Sequence, residues 1–245
     1  MIIGFVGSGN MAAAIARGLA GEVEGMLFSD SGSGRAATLA EELGGQALSN
    51  QEVAARADVV VLAVKPAALE TVAPSLREAK EIVSVLAATP LARLREAFPG
   101  AQVLRTMPNV GVEVRQGVIC VAGDASPEVR AALGRIAHVV EIDERDFDGA
   151  TAVMGCAPAY LALAVEAIGD AGADDGLDPG LARELIVETT AGTAELLRRR
   201  HPADVRRAVA SPGGSTEAGL VELDRQGARA AFVGAVDASL RRMRQ

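Results

Sequence analysis

The stretch Ile2-Ile3-Gly4-Phe5-Val6-Gly7-Ser8-Gly9-Asn10-Met11-Ala12 decides the fold. Five residues with strand character run into a glycine turn, and the Ala-rich segment Asn10–Leu19 that follows has helical composition. In Gly7-x-Gly9-x-x-Ala12, the first glycine permits a tight turn and the second lets backbone approach a pyrophosphate. Ala12 still allows close helix–sheet packing, and the helix N-terminus supplies free N–H groups for the negative charge. An ordinary glycine turn has the same letters. The context favours dinucleotide binding, because an acid, Asp30, stands at the end of the next strand, Met26–Ser29.

Outward from this turn, strand and helix alternate. Strands are expected at Asp58–Val64, Glu81–Leu86, Gln102–Thr106, Gln116–Val121 and Val139–Ile142. Helices are expected at Gly34–Leu43, Pro66–Arg77, Leu91–Phe98 and Pro127–Ala137, the last opened by Ser126-Pro127-Glu128. Asp58–Val64 is apolar on both faces, as a central parallel strand should be. The alternation predicts an α/β fold whose first part is a Rossmann-like doubly wound sheet. From Glu144 onward the strand pattern stops. Long helices are expected at Asp148–Gly169 and, after the Asp178-Pro179 start, at Pro179–Arg199. This places a nucleotide-binding domain at 1–145 and an all-helical domain at 146–245. The helical part carries wide apolar arcs (Leu161, Leu163, Val165 and Ile168, then Leu181, Leu185, Ile186, Val187 and Leu196) that about 100 residues cannot bury alone. Two interlocking copies, a homodimer or larger oligomer, are therefore expected.

Composition narrows the chemistry. The chain has 245 residues, of which 49% are hydrophobic and 23% charged, a globular balance rather than a disordered one. A net charge of −8 and 2% aromatics leave neither a basic stripe nor a stacking platform, so no nucleic acid is expected as a partner. The N-terminus reads as free of a signal peptide, and no uninterrupted apolar run approaches the ~20 residues of a membrane span, so the cytoplasm and no membrane contact are expected. Cys120 and Cys156 show no metal-ligand spacing, and with only His138 and His201 besides, no metal is expected. The two lysines are Lys65 and Lys80, so chemistry that needs a lysine in the second half is excluded. Four residues after the single tyrosine, Tyr160, stands Ala164, which excludes a Tyr-x-x-x-Lys pair.

Further candidates lie at strand ends and in one loop. Asp30 suits a ribose 2′-OH and so NADH, whereas Ser29, Ser31, Ser33 and Arg35 in the same loop suit a 2′-phosphate and so NADPH; both stay open. Ala63-Val64-Lys65-Pro66 ends a parallel strand, where open α/β sheets bind ligands; Lys65 fits either an anion contact or a solvated strand end. Met107-Pro108-Asn109 ends another strand, and Asn109 fits a nicotinamide carboxamide as well as a turn cap. Ser211-Pro212-Gly213-Gly214-Ser215-Thr216 precedes a helical stretch and reads as a nest of N–H groups for a carboxylate, or as a capped helix start. Cys156 reads as a small buried hydrophobe, His138 as structural, His201-Pro202 as a helix end, and Glu166 with Asp170 as a polar helix face.

In this order and spacing, Gly7-Ser8-Gly9-Asn10-Met11, Ala63–Pro66, Met107–Asn109, Gly155–Tyr160 with Glu166-Ala167, His201-Pro202 and Ser211–Gly214 resemble the pyrroline-5-carboxylate reductase family over nearly the whole chain. The resemblance implies an N-terminal domain binding NADPH or NADH, a helical dimerisation domain, dimers or rings of dimers, and reduction of the cyclic imino acid 1-pyrroline-5-carboxylate to L-proline. It further implies that Gly7, Ser8, Gly9, Asn10 and Met11 line the pyrophosphate, and that Asn50 with the Ser29–Arg35 loop meets the adenosine ribose. Ala63, Lys65 and Pro66 would lie at the nicotinamide half. Ser211, Gly213, Gly214, Ser215 and Thr216 would hold the substrate carboxylate, with the Thr216 hydroxyl near the ring nitrogen. The scarcity of strong acids suits an imine, which can arrive already protonated. The sequence departs from the family at Val110-Gly111, at Val85–Ala88 and at Cys156-Ala157. These departures leave a different cyclic imine or ketimine as an alternative substrate. A non-catalytic nucleotide-binding regulator with the same fold is a third reading.

Overall fold

A computed structural model describes residues 1–244 and divides them into two compact units, whose principal parts are Met1–Gly155 and Cys156–Arg241. In the first unit the order is β1 (Ile2–Val6), α1 (Asn10–Leu19), β2 (Gly25–Ser29), α2 (Arg35–Leu43), β3 (Gln46–Ala47), α3 (Asn50–Arg56), β4 (Val59–Leu62), α4 (Leu69–Val72), β5 (Glu81–Ser84), α5 (Leu91–Ala97), β6 (Gln102–Pro108), β7 (Gly117–Gly123), α6 (Pro127–Ile136), β8 (Ala137–Glu141) and α7 (Phe147–Ala150). The eight strands form one sheet in the order β3-β2-β1-β4-β5-β6-β7-β8. All neighbours are parallel except β6 and β7. Successive strands run outward from β1 to β3, and β4 then returns to the other side of β1. The topological switch point therefore lies at the C-terminal ends of β1 and β4, where open α/β sheets take their ligands.

Helices cover both faces of the sheet. One buried cluster joins Phe5, Ile15, Leu19, Phe28, Val61, Leu104 and Ile136; the other joins Val6, Val53, Leu62, Leu69, Ile82 and Leu94. Phe5 and Phe28 stack at 5.2 Å between β1 and β2. Local chemistry sets the helix starts. The Ser126 hydroxyl accepts from the Val129 amide with Pro127 in the first turn, as its sequence foretells. Pro66–Leu76 is not part of the single helix expected at Pro66–Arg77: it alternates 3-10 turns with α4, because Pro74 removes a backbone donor in its interior. The short β3 and α3 were not foreseen, although Ser49 and Glu52 form a complete capping box.

The second unit contains α8 (Ala157–Asp174), α9 (Pro179–Leu197), α10 (Pro202–Val209), α11 (Ser215–Arg225) and α12 (Ala228–Met243). The expected Asp148–Gly169 helix is instead α7, a π-turn at Thr151–Gly155 and then α8. His201-Pro202 starts a helix rather than ending one: the His201 Nδ1 accepts from the Ala203 amide, and Pro202 occupies the first turn. Cys156 is half-buried rather than buried. Among the described residues of this unit Ala182 is the one buried hydrophobic residue, whereas Leu161, Leu163, Ile168, Leu185 and Val187 are exposed. One helical run, Glu144–Asp174, is long and apolar enough by length and composition to cross a membrane, although Asp148, Glu166 and Asp170 interrupt its apolar sequence.

Candidate active site

The glycine loop, the end of β2 and the end of β4 meet at the switch point. The Gly7 amide donates to the Ser29 carbonyl at 3.0 Å, and the Ser8 hydroxyl donates to the same oxygen at 3.0 Å. The Ala63 amide donates to the Val6 carbonyl at 2.8 Å. Gly7 has φ +93°, and a Cβ there would lie 2.6 Å from the Ala63 carbonyl oxygen. Gly9 caps α1 in extended conformation with no side chain on the exposed amides, and a Cβ at Gly9 would meet nothing within 4 Å. An uncapped helix N-terminus facing open space is the arrangement that takes a pyrophosphate, so these residues fit a dinucleotide. Ser8, Gly9, Asn10, Arg17, Arg35 and Val110 border an adjoining groove of about 370 Å³.

The loop after β2 discriminates between its candidates. Both carboxylate oxygens of Asp30 are engaged: one accepts from the Gly32 amide at 2.7 Å, the other from the Ser33 hydroxyl at 2.8 Å and the Ala36 amide at 2.9 Å. The Ala36 amide, first, and then the Ser33 hydroxyl and the Gly32 and Ser33 amides outweigh desolvation and hold its pKa below the ordinary aspartate range. Asp30 thus shapes its own loop through these three bonds, and its carboxylate keeps acceptor capacity beyond them. Ser29 is buried within the sheet, its hydroxyl donating to the Phe5 carbonyl at 3.4 Å. Ser31 and Arg35 are exposed, and among the described residues no acid pairs with the Arg35 guanidinium.

Asn50 is half-buried in the first turn of α3, and Lys65 and Pro66 are exposed just beyond β4. Asn109 is committed at both ends of its amide: Nδ2 donates to the Met154 carbonyl at 3.3 Å, and Oδ1 accepts from the Val118 amide at 3.1 Å. It therefore ties the end of β6 to β7 and to the π-turn. Behind it, buried Arg105 pairs with Glu144 and stacks on Phe147 at 4.0 Å, a cluster that sequence reasoning missed. Arg105 stands 39 residues before Glu144, so no local spacing marks their pairing.

In the second unit, Ser211–Thr216 forms a turn leading into α11. Gly213 has φ +73°, and the Gly214 amide donates to the Ser211 carbonyl at 2.9 Å. The Ser215 and Thr216 side chains are exposed and make no hydrogen bond among the described residues. The Gly213 amide donates to Glu217 Oε2 at 2.7 Å, a partner the sequence reading omitted. No capping-box spacing marks it, since the N-cap Gly214 has no side chain and the acid reaches the residue before the cap. No cluster of three or more potential metal ligands occurs among the described residues.

Residues 144–245 match the family model for pyrroline-5-carboxylate reductase dimerisation, and residues 2–88 match that for coenzyme F420-dependent NADP oxidoreductase. Pyrroline-5-carboxylate reductase of Pseudomonas aeruginosa is 38% identical over 261 residues, covering 98% of this chain and 94% of that protein. The protein of the same name from Synechocystis is 37% identical, covering 80% of this chain and 78% of its own length. Among solved structures, 1-pyrroline-5-carboxylate reductase of Streptococcus pyogenes superposes with a TM-score of 0.89 at 33% identity, covering 99% and 98% of the two chains. Pyrroline carboxylate reductase of Plasmodium falciparum, solved with NADP bound, superposes with a TM-score of 0.88 at 26% identity over 99% and 97%.

Proposed function

The chain belongs to the pyrroline-5-carboxylate reductase family, and on that premise we propose that it reduces 1-pyrroline-5-carboxylate to L-proline with NADPH or NADH. What carries the reading is its likeness, over almost its full length, to reductases of that name. A dihydronicotinamide, when bound, would supply the hydride that the imine carbon accepts. The chain's part is to hold two anions and align the reacting atoms. Gly7, Ser8, Gly9, Asn10 and Met11 hold the pyrophosphate on the α1 amides. Ser31 and Arg35 take the 2′-phosphate, Asn50 meets the adenosine ribose, and Ala63, Lys65, Pro66 and Asn109 border the nicotinamide half.

Ser211, Gly213, Gly214, Ser215 and Thr216 hold the substrate carboxylate. The Thr216 hydroxyl bonds the ring nitrogen, which keeps the electron pair of the C=N bond as the carbon accepts hydride. A nitrogen protonated before transfer leaves a neutral secondary amine, so no histidine, lysine or tyrosine acid is needed. NADPH is the preferred reductant: Asp30 is closed into its loop while Arg35 is free of acid partners among the described residues.

We assign cofactor binding to residues 1–145, and dimerisation and substrate binding to 146–245. The working unit is a homodimer or a ring of dimers, since exposed leucines on α8 and α9 require a second copy to cover them. The free Cys120 and Cys156 suit a reduced, cytoplasmic setting.

A spectrophotometric assay with NADPH and NADH, offered 1-pyrroline-5-carboxylate and its six-membered homologue, tests the proposal. Substrate-dependent oxidation, fastest with the five-membered ring and NADPH, is expected. Preference for the six-membered ring would move the assignment to another imine, and no turnover with either would refute it. Thr216→Ala should fold normally and lose kcat roughly a hundredfold. Unchanged kinetics would remove Thr216 from the reaction.

A further inference from the structure

We propose that Glu217 is a built-in competitor for the substrate carboxylate, seated on the cradle until the imino acid displaces it. The inference rests on the reading that the Ser211–Thr216 turn receives that carboxylate. Glu217 Oε2 accepts from the Gly213 amide at 2.7 Å, a charge-assisted bond to a donor that the cradle would otherwise offer to substrate. The geometry is not that of an ordinary capping box, in which the acid three residues into the helix reaches back to the N-cap amide. Here the N-cap is Gly214, whose amide is already served by the Ser211 carbonyl at 2.9 Å. The acid passes over it to the amide of Gly213, one residue further out, whose φ of +73° lies in the left-handed region.

A carboxylate of the protein thus occupies the position that a carboxylate of the substrate would take. One N–H cannot serve both at full strength. Substrate therefore binds only as Glu217 swings away, and Glu217 remains in the first turn of α11, where its charge still favours the helix. The contact keeps the loop formed in the empty enzyme at the cost of a weaker apparent affinity for substrate.

The test compares wild-type enzyme with Glu217→Gln, which keeps the length and removes the charge, and with Glu217→Ala, which removes the reach. KM for 1-pyrroline-5-carboxylate should fall roughly three- to tenfold in both, the range for one charge-assisted bond discounted for exposure. KM for NADPH and kcat should stay unchanged. A glutamate that only braced the helix would leave the imine KM unchanged or raise it, and either result overturns the proposal. So does a rise in KM from loss of an attraction to the cationic imine. Calorimetric titration with L-proline in the presence of NADP+ reads the cradle without turnover. Tighter binding to the variants supports the competitor role even if no protein oxidises NADPH, in which case the activity assignment alone fails. Equal, weaker or absent binding to all three overturns the competitor role while leaving any observed turnover standing.

Discussion

Gly7 lies directly against Ala63: a Cβ on Gly7 would sit 2.6 Å from the Ala63 carbonyl oxygen, and the Gly7 φ of +93° is one that L side chains rarely adopt. The contact closes β1 onto the end of β4 and thereby sets where the loop from Gly7 to Met11 presents its amides. Gly9 behaves oppositely, since a Cβ there meets open space.

The two glycines should therefore fail in different ways. Gly7→Ala forces backbone to move and costs about 1–3 kcal/mol, lowering Tm by at least about 2 °C and weakening NADPH. Gly9→Ala should leave Tm unchanged and still raise KM for NADPH about tenfold, because the methyl enters the space assigned to the pyrophosphate. Differential scanning calorimetry with cofactor titration separates them. A Gly9→Ala enzyme with normal NADPH affinity would show that the pyrophosphate does not pass there.

Arg35 and Asp30 carry opposite expectations. Arg35→Ser should lower kcat/KM with NADPH about tenfold and leave NADH unaffected, since only NADPH brings a 2′-phosphate to that guanidinium. Equal losses with both cofactors would place Arg35 elsewhere. Asp30→Asn should lower stability at neutral pH by weakening bonds to the Gly32 and Ala36 amides and the Ser33 hydroxyl. The sign follows from its depressed pKa: the ionised form is stabilised in the fold, so the contribution is present above the ordinary aspartate range. It is lost as pH falls through the lower folded value. Wild type and Asp30→Asn should therefore converge in Tm in acid and diverge toward neutrality.

Much of the nucleotide unit was legible because its signals are local. The Gly7-x-Gly9 turn, the Asn10–Leu19 helix and the Ser126 cap each depend on neighbours within a few residues. The loop bonds of Asp30 were not legible, because residue type states what a side chain can bond and not what reaches it first, whereas backbone capping was one of the two readings left open for Asn109. Asp30 is claimed by amides two and six residues on; Asn109 is claimed by Val118 and Met154. His201 misled because the preceding arginines do mark the end of α9, and the short gap before α10 left the next start hidden.

Arg105 offers a stability test of an ion pair with unequal partners. Its side chain is 6% exposed and that of Glu144 is 41% exposed. Glu144 also accepts from the Leu91 amide at 2.9 Å, while the Arg105 Nε finds no partner among the described residues. Glu144→Ala strands a buried guanidinium and should cost about 1–3 kcal/mol, less than a fully buried pair because one partner is half in water. Arg105→Met keeps volume against Phe147 and removes the buried charge, so it should cost less. Urea unfolding measures both, and a larger loss for Arg105→Met would mean that packing against Phe147, rather than the charge, dominates the cluster.

Leu161 and Leu185, 59% and 52% exposed, lie on the two helices that pack on each other in the second unit. A side chain of this size gains about 1.5–3 kcal/mol from full burial, so several such leucines supply a strong drive toward a second copy. The apolar run Glu144–Asp174 falls within the segment matching the dimerisation family. Leu185→Glu places a charge in the surface to be covered and should shift the protein to monomer at micromolar concentration, with turnover falling in proportion to the dimer lost. Light scattering coupled to size exclusion reads the mass directly. A Leu185→Glu protein that stays dimeric and fully active would place the association surface on another face of these helices.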